Sequence, residues 1–154
     1  MKTTLFAFFA ATLLGFSSCL KDQEACVPKT PSSEESAMQS YANANGITAT
    51  KHSSGLFYQV TNPGTGAVPS LANTVSVTYT GKLLDGTTFE SRTTPLNLAL
   101  NQVITGWQIG LQQIKKGGSI KLIIPSSMAY GCAAVGSIPP NSILYFEVNL
   151  IDVI

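Results

Sequence analysis

The sequence predicts an α+β domain in which a curved antiparallel sheet wraps around one short helix. Three observations predict it. Val75, Val77 and Tyr79 alternate with Ser76, Thr78 and Thr80, and Leu144, Phe146, Val148 and Leu150 alternate with Tyr145, Glu147, Asn149 and Ile151, the period of strands with one face inward. Ile104, Trp107, Leu111 and Ile114 recur at steps of three and four, which places them on one face of a helix. That helix is flanked by strand-like sequence on both sides, so its stripe, with the only Trp of the chain, is expected to lie across the sheet. Gly106 and Gly110 each disfavour the helix by roughly 1 kcal/mol relative to Ala, and small residues there suggest close packing or a preserved concavity.

The elements follow in order. Lys2 precedes an apolar run from Leu5 to Phe16, which has the basic start and length of an export signal and is too short for a membrane span. Small residues, Ser17 and Ser18, then stand directly before Cys19. This resembles a bacterial lipoprotein lipobox, with Phe16 where the usual pattern prefers Leu. The resemblance implies residues 1–18 as a lipoprotein signal peptide and Cys19 as the lipidated residue, an acylated anchor on the membrane. Lys21-Asp22-Gln23-Glu24 resembles the charged tag that sends some lipoproteins to the outer face of the outer membrane. The implied location is the bacterial cell envelope, lipid-anchored at the outer membrane on either its periplasmic or its surface-exposed face.

Residues 19–54 read as anchor, linker and short helix. Cys26 to Ser33 is a polar linker, Ser32 and Glu35 have capping-box spacing, and a helix should run to about Asn45 before Gly46 stops it. With Met38, Tyr41 and Ala42 as its only apolar handles, it is expected to pack loosely on the domain edge or on a second copy of the chain, a homodimer. The folded domain, 55–154, opens with a strand at Leu56 to Val60 closed by Asn62-Pro63-Gly64, and the 75–79 strand follows. Asp85-Gly86 turns the chain into a strand at Thr87 to Ser91, and Leu96, Leu98 and Leu100 repeat the period of two. Ile120, Leu122 and Ile124 alternate with Lys121 and Ile123 until Pro125 ends the ladder. The fragment from Gly55 onward is expected to fold by itself.

Composition excludes several classes of function. Only 11% of the 154 residues are charged, and the formal net charge is +1, so there is no electrostatic footprint for nucleic acid. Cys26 and Cys132 lie far apart and the single His52, read as a surface loop residue, supplies no second ligand nearby; no metal site can be drawn. An oxidising compartment would permit the two cysteines to pair. The unpaired form is the expectation, because nothing between Val27 and Ser33 specifies a docking path and Ala133, Ala134 and Val135 offer Cys132 an apolar neighbourhood.

Four separated motifs then stand in order: Val75 to Tyr79 continuing Thr80-Gly81-Lys82-Leu83-Leu84-Asp85-Gly86-Thr87-Thr88-Phe89-Glu90-Ser91; Val103-Ile104-Thr105-Gly106-Trp107; Ala129-Tyr130-Gly131; and Ile138-Pro139-Pro140-Asn141. They resemble the FK506-binding proteins, which are peptidyl-prolyl cis-trans isomerases, over about Gly55 to Val153. Leu100-Asn101-Gln102-Val103-Ile104 is similar to the periplasmic and macrophage-infectivity branch of bacterial members. The resemblance implies a half-barrel sheet around a short helix, an isomerase that acts on proline-containing polypeptides, and no cofactor. It places Tyr79, Phe89, Glu90, Ile104, Trp107, Tyr130 and Phe146 at catalytic pocket positions and Leu96, Val103 and Ile138 at substrate-binding ones. Trp107 resembles the pocket floor, Tyr79, Phe89 and Phe146 its walls, and the Ile104 N–H and Tyr130 hydroxyl its donors. Glu90 stands where most members have Asp and Leu96 where many have Phe, so macrolide inhibitors are a weaker expectation as partners than polypeptides. The rival reading is a noncatalytic binding module or envelope chaperone using the same groove.

Overall fold

A computed structural model describes residues 25–154. The expected signal peptide, Cys19 and the Lys21 to Glu24 tag lie outside the described residues. Helix α1 spans Pro31–Ala44, and the strands are β1 (Thr50–Lys51), β2 (Phe57–Asn62), β3 (Thr74–Leu83) and β4 (Thr88–Ala99). Helix α2 (Thr105–Leu111) follows, then β5 (Ser119–Ile124) and β6 (Leu144–Val153). The six strands form one antiparallel sheet in the order β1-β2-β5-β6-β3-β4.

Alternation decides which face each residue takes. In β5 and β6, Ile120, Leu122, Ile124, Phe146, Val148 and Leu150 turn toward α2, where they bury Trp107, Leu111 and Ile114. Gly106 and Gly110 let the helix sit directly on β5: a Cβ on Gly106 would strike Ile124, and one on Gly110 would strike Leu122. Close packing is therefore the reason for both glycines.

The other face carries a second core that the sequence did not suggest. Phe57, Ile123 and Tyr145 point away from α2, and α1 covers them with Met38 and Ala42, both fully buried. Tyr41 adds a tilted contact to Tyr145, ring centres 5.3 Å apart. Far from packing loosely, α1 is docked. Its cap also differs from the expected capping box. Thr30 is the N-cap and accepts the Ser33 N–H at 3.3 Å, because Pro31, with its fixed φ and no N–H, suits the first helical position. Glu35 is left free to pair with Lys51 at 2.7 Å, and Glu34 turns inward.

β4 is one strand where two were expected. Pro95 is tolerated because β4 is at the sheet edge. The expectation of free thiols is also overturned: Cys26 and Cys132 form a disulfide, with Cα atoms 5.7 Å apart. The docking path absent from the linker comes from elsewhere. Docking of α1 returns the chain to the sheet, and the Asn141 side-chain amide donates to the Val27 carbonyl at 3.0 Å, beside Cys132. Ala133, Ala134 and Val135, expected to bury a thiol, are exposed.

Candidate active site

The turn into α2 sets the floor of a cleft of about 250 Å³. Ile104 is the N-cap of α2, and its carbonyl accepts the N–H groups of Trp107 (2.9 Å) and Gln108 (3.2 Å). This puts Trp107 on the first turn, 4% exposed, with its indole in T-shaped contact with Tyr79 at 4.9 Å and with Phe146 at 5.3 Å. Phe89 stands edge-to-face on Phe146 at 5.5 Å. Such contacts between the positive edge of one ring and the negative face of another hold the rings at fixed angles, so the walls keep their shape without a ligand.

Two backbone devices bring Phe89 into this cluster. The β3–β4 register shifts between Gly81 and Lys82, leaving Phe89 as the extra residue of a bulge, so that Phe89 and Glu90 both line the cleft although they are neighbours in a strand. Gly81 leaves room for the rings: a Cβ there would lie 2.6 Å from Phe89 and 2.7 Å from Phe146.

Polar groups sit on the rim. The Ile104 N–H has no acceptor among the described residues. The peptide that carries it is held from its other edge, where the Gln108 side chain donates to the Val103 carbonyl at 2.8 Å. Glu90 Oε1 accepts from Arg92 Nε at 3.2 Å. Burial, and then the Glu90 carboxylate, push the Tyr79 hydroxyl up to about 12, with Arg92 acting in the opposite direction. Burial and then Glu90 also raise Tyr130. Both phenols are therefore neutral O–H donors at neutral pH. Because the native pKa of Tyr79 lies above the ordinary value of 10.0, its contribution to stability is fully present below that pH and is lost as pH rises through about 12. On the order of 2 kcal/mol of alkaline destabilisation is expected, and Tyr79→Phe should lack it. Equal loss of stability in wild type and variant across this range would show that Tyr79 is not the group involved.

The cleft brings together Tyr79, Phe89, Glu90 and Val103 with Ile104, Trp107, Tyr130 and Phe146. Two expected residues fall outside it. Leu96 pairs with Val77 and packs half-buried against the core, while Ile138, 5% exposed, lines an adjoining groove shared with Phe89, Glu90 and Tyr130. Two lining residues were not foreseen, Leu98 and Gln102. The period of two through Leu96, Leu98 and Leu100 was the available signal for Leu98; Gln102, in a 3-10 turn, has none. His52 is half-buried and accepts the Ser54 N–H through Nδ1, away from the cleft.

A short helix seated inside a curved antiparallel sheet, with an aromatic cleft at its first turn, defines a class. Residues 66–151 match the family described as FKBP-type peptidyl-prolyl cis-trans isomerase, and the chain belongs to that family. The FKBP-type peptidyl-prolyl cis-trans isomerase FkpA of Escherichia coli (strain K12) is 48% identical over 118 residues, which span 75% of this chain and 43% of that protein. The crystal structure of Escherichia coli FkpA superposes with a TM-score of 0.71 at 44% identity, over 80% of this chain and 60% of that one. A peptidyl-prolyl cis-trans isomerase from Pseudomonas syringae pv. tomato superposes with a TM-score of 0.68 at 32% identity, over 82% of this chain and 98% of that one. The chain thus spans less than half the length of the curated relative FkpA.

Proposed function

We propose that this chain accelerates cis-trans rotation about X-Pro bonds in exported polypeptides. The observation that carries the reading is the aromatic cleft over Trp107 with the unpartnered Ile104 N–H on its rim. Rotation faces a barrier of roughly 18–20 kcal/mol because the planar amide is resonance-stabilised. The planar form separates more charge than the twisted one, so moving the bond from water into an apolar cleft weakens the advantage of the ground state. Trp107 is the floor under the proline ring, and Tyr79, Phe89 and Phe146 enclose it. The Ile104 N–H and the Tyr130 hydroxyl hold substrate carbonyls, and they lower the barrier to the extent that they bind the twisted amide more strongly than the planar one. Glu90 is an acceptor that orients the cleft. Val103 contacts the substrate, and Leu96 and Ile138 shape the surface around it.

In this proposal residues 55–154 are the isomerase domain and carry every residue that lines the cleft. Residues 1–18 are a signal peptide, and residues 19–54 carry the anchor and α1. Acylated Cys19 ties the protein to the envelope membrane at the outer membrane, which makes it a lipoprotein member resembling the macrophage-infectivity and periplasmic branch. Among the described residues no helix is long and apolar enough to cross a membrane. Macrolides would compete for the same cleft, and a second copy of the chain is an open partner.

The test is a protease-free prolyl-peptide assay on the exported chain with Cys19→Ser. Faster cis-trans exchange than in buffer is expected, and the substitution should remove lipid labelling without changing the rate. Peptide binding without acceleration would replace the isomerase reading with that of a holding chaperone, and retained labelling would exclude Cys19 as the lipidated residue.

A further inference from the structure

We propose that the N-terminal segment is part of the active-site machinery, with Glu34 as a positioning residue that sets Tyr130 over the cleft. The inference rests on the proposed role of Tyr130 as a donor. Glu34 is 3% exposed, and its Oε2 accepts the Ser126 N–H at 2.7 Å across 92 residues of sequence. The Ser126 carbonyl in turn accepts the N–H groups of Ala129 (3.0 Å) and Gly131 (2.8 Å), the residues on either side of Tyr130. Glu34 therefore grips one edge of the residue from which the Tyr130 turn hangs.

The far side of Tyr130 is held by the same N-terminal segment. Cys132, two residues on, is bonded to Cys26. Asn141 links the two: its side chain donates to the Val27 carbonyl at 3.0 Å, and its own N–H donates to the Gly131 carbonyl at 2.7 Å. Every covalent or hydrogen-bonded hold named here, on both flanks of Tyr130, leads back to residues 26–34.

Docking α1 does not require a carboxylate. Met38 and Ala42 already bury it against Phe57, Ile123 and Tyr145. A buried carboxylate pays a desolvation penalty that must be offset by its partners. Here the Ser126 N–H is one, while Lys29 Nζ stands 4.0 Å from Oε1, which has no hydrogen-bond partner among the described residues. An apolar side chain of the same volume would serve packing at least as well. What it could not do is fix Ser126 by a directional, charge-assisted hydrogen bond.

The full chain with its disulfide intact tests this through Glu34→Met, which keeps the volume and loses the acceptor, and Glu34→Gln, which keeps an acceptor. Glu34→Met leaves the buried Ser126 N–H without an acceptor, so a modestly lower melting temperature is expected, together with a kcat/KM lowered about tenfold, the scale expected when a catalytic group is displaced by a fraction of an ångström. Glu34→Gln should recover most of that loss. In the Glu34→Met background Tyr130→Phe should cost little more, since the two act through one group. Amide hydrogen exchange in 126–131 should rise in Glu34→Met while β3 is unchanged. Unchanged exchange in 126–131, or a Tyr130→Phe effect that is the same in both backgrounds, would overturn the positioning role. A wild-type chain with no isomerase activity would defeat the functional reading instead, and the exchange measurement would still decide whether Glu34 holds the turn.

Discussion

Replacing Trp107 with Leu is expected to lower kcat/KM by about 10- to 100-fold, or roughly 1.4 to 2.7 kcal/mol of transition-state stabilisation. The indole is at once the floor of the cleft and the ring with which Tyr79 and Phe146 make T-shaped contacts. Leu fills part of the volume and has no ring to make either T-shaped contact. Both walls lose their orienting partner, and the proline ring loses the flat surface under it. Trp107→Ala would confuse the outcome, because emptying a buried aromatic site costs roughly 3 to 5 kcal/mol of stability by itself. Trp107→Phe is the useful companion: it keeps a ring at the same place and should retain more activity than Leu. Equal rates for wild type and Trp107→Leu, with the fold verified, would show that the floor contributes nothing to rotation and that the donors on the rim act alone.

How far the sequence reveals this site depends on whether a residue's placement follows from its own element. Alternation in β6 and the stripe in α2 are local, so the inward set around Trp107 is legible from the chain alone. Tyr79, Phe146 and Ile104 follow from it once the family motifs are added. Phe89 and Glu90 share the cleft only because the β3–β4 register slips at Gly81, a pairing property that no single strand displays. Leu96 and Leu98 have the same parity and differ in how far along β4 they fall relative to α2, which again is a question of register. The second core was hidden for a different reason. Ile123 and Tyr145 are apolar residues on the face expected to meet water, and each alone is unremarkable, since much exposed surface is apolar. Only the docking of α1 shows that they needed a cover. The Cys26–Cys132 bond depends on that docking, so a reading that treats the linker as free has no path to it.

Removing residues 25–54 is expected to lower the stability of the remaining domain sharply, although it takes away no cleft residue. All ten expected catalytic and substrate-binding positions lie after Gly55, which would make the fragment self-sufficient if stability followed the site. The structure argues that it does not. In the chain-entropy model, losing the cross-link over 106 residues costs about 4 to 5 kcal/mol. Uncovering the sheet where Met38 is fully buried costs roughly 2 kcal/mol more, before Phe57, Ile123 and Tyr145 are counted. Together these reach the lower end of the roughly 5 to 15 kcal/mol by which small domains are stable. The fragment is therefore expected to be marginal, with a urea midpoint far below that of the longer chain when followed by the fluorescence of Trp107, the only Trp. Cys26→Ser and Met38→Ala separate the two contributions, the first removing the cross-link with α1 in place and the second opening the outer core with the cross-link intact. Each should lower the midpoint by part of the whole. A fragment as stable as its parent would mean that α1 rests on the sheet without supporting it, and that the burial of Met38 is offset by an equal cost of ordering the helix.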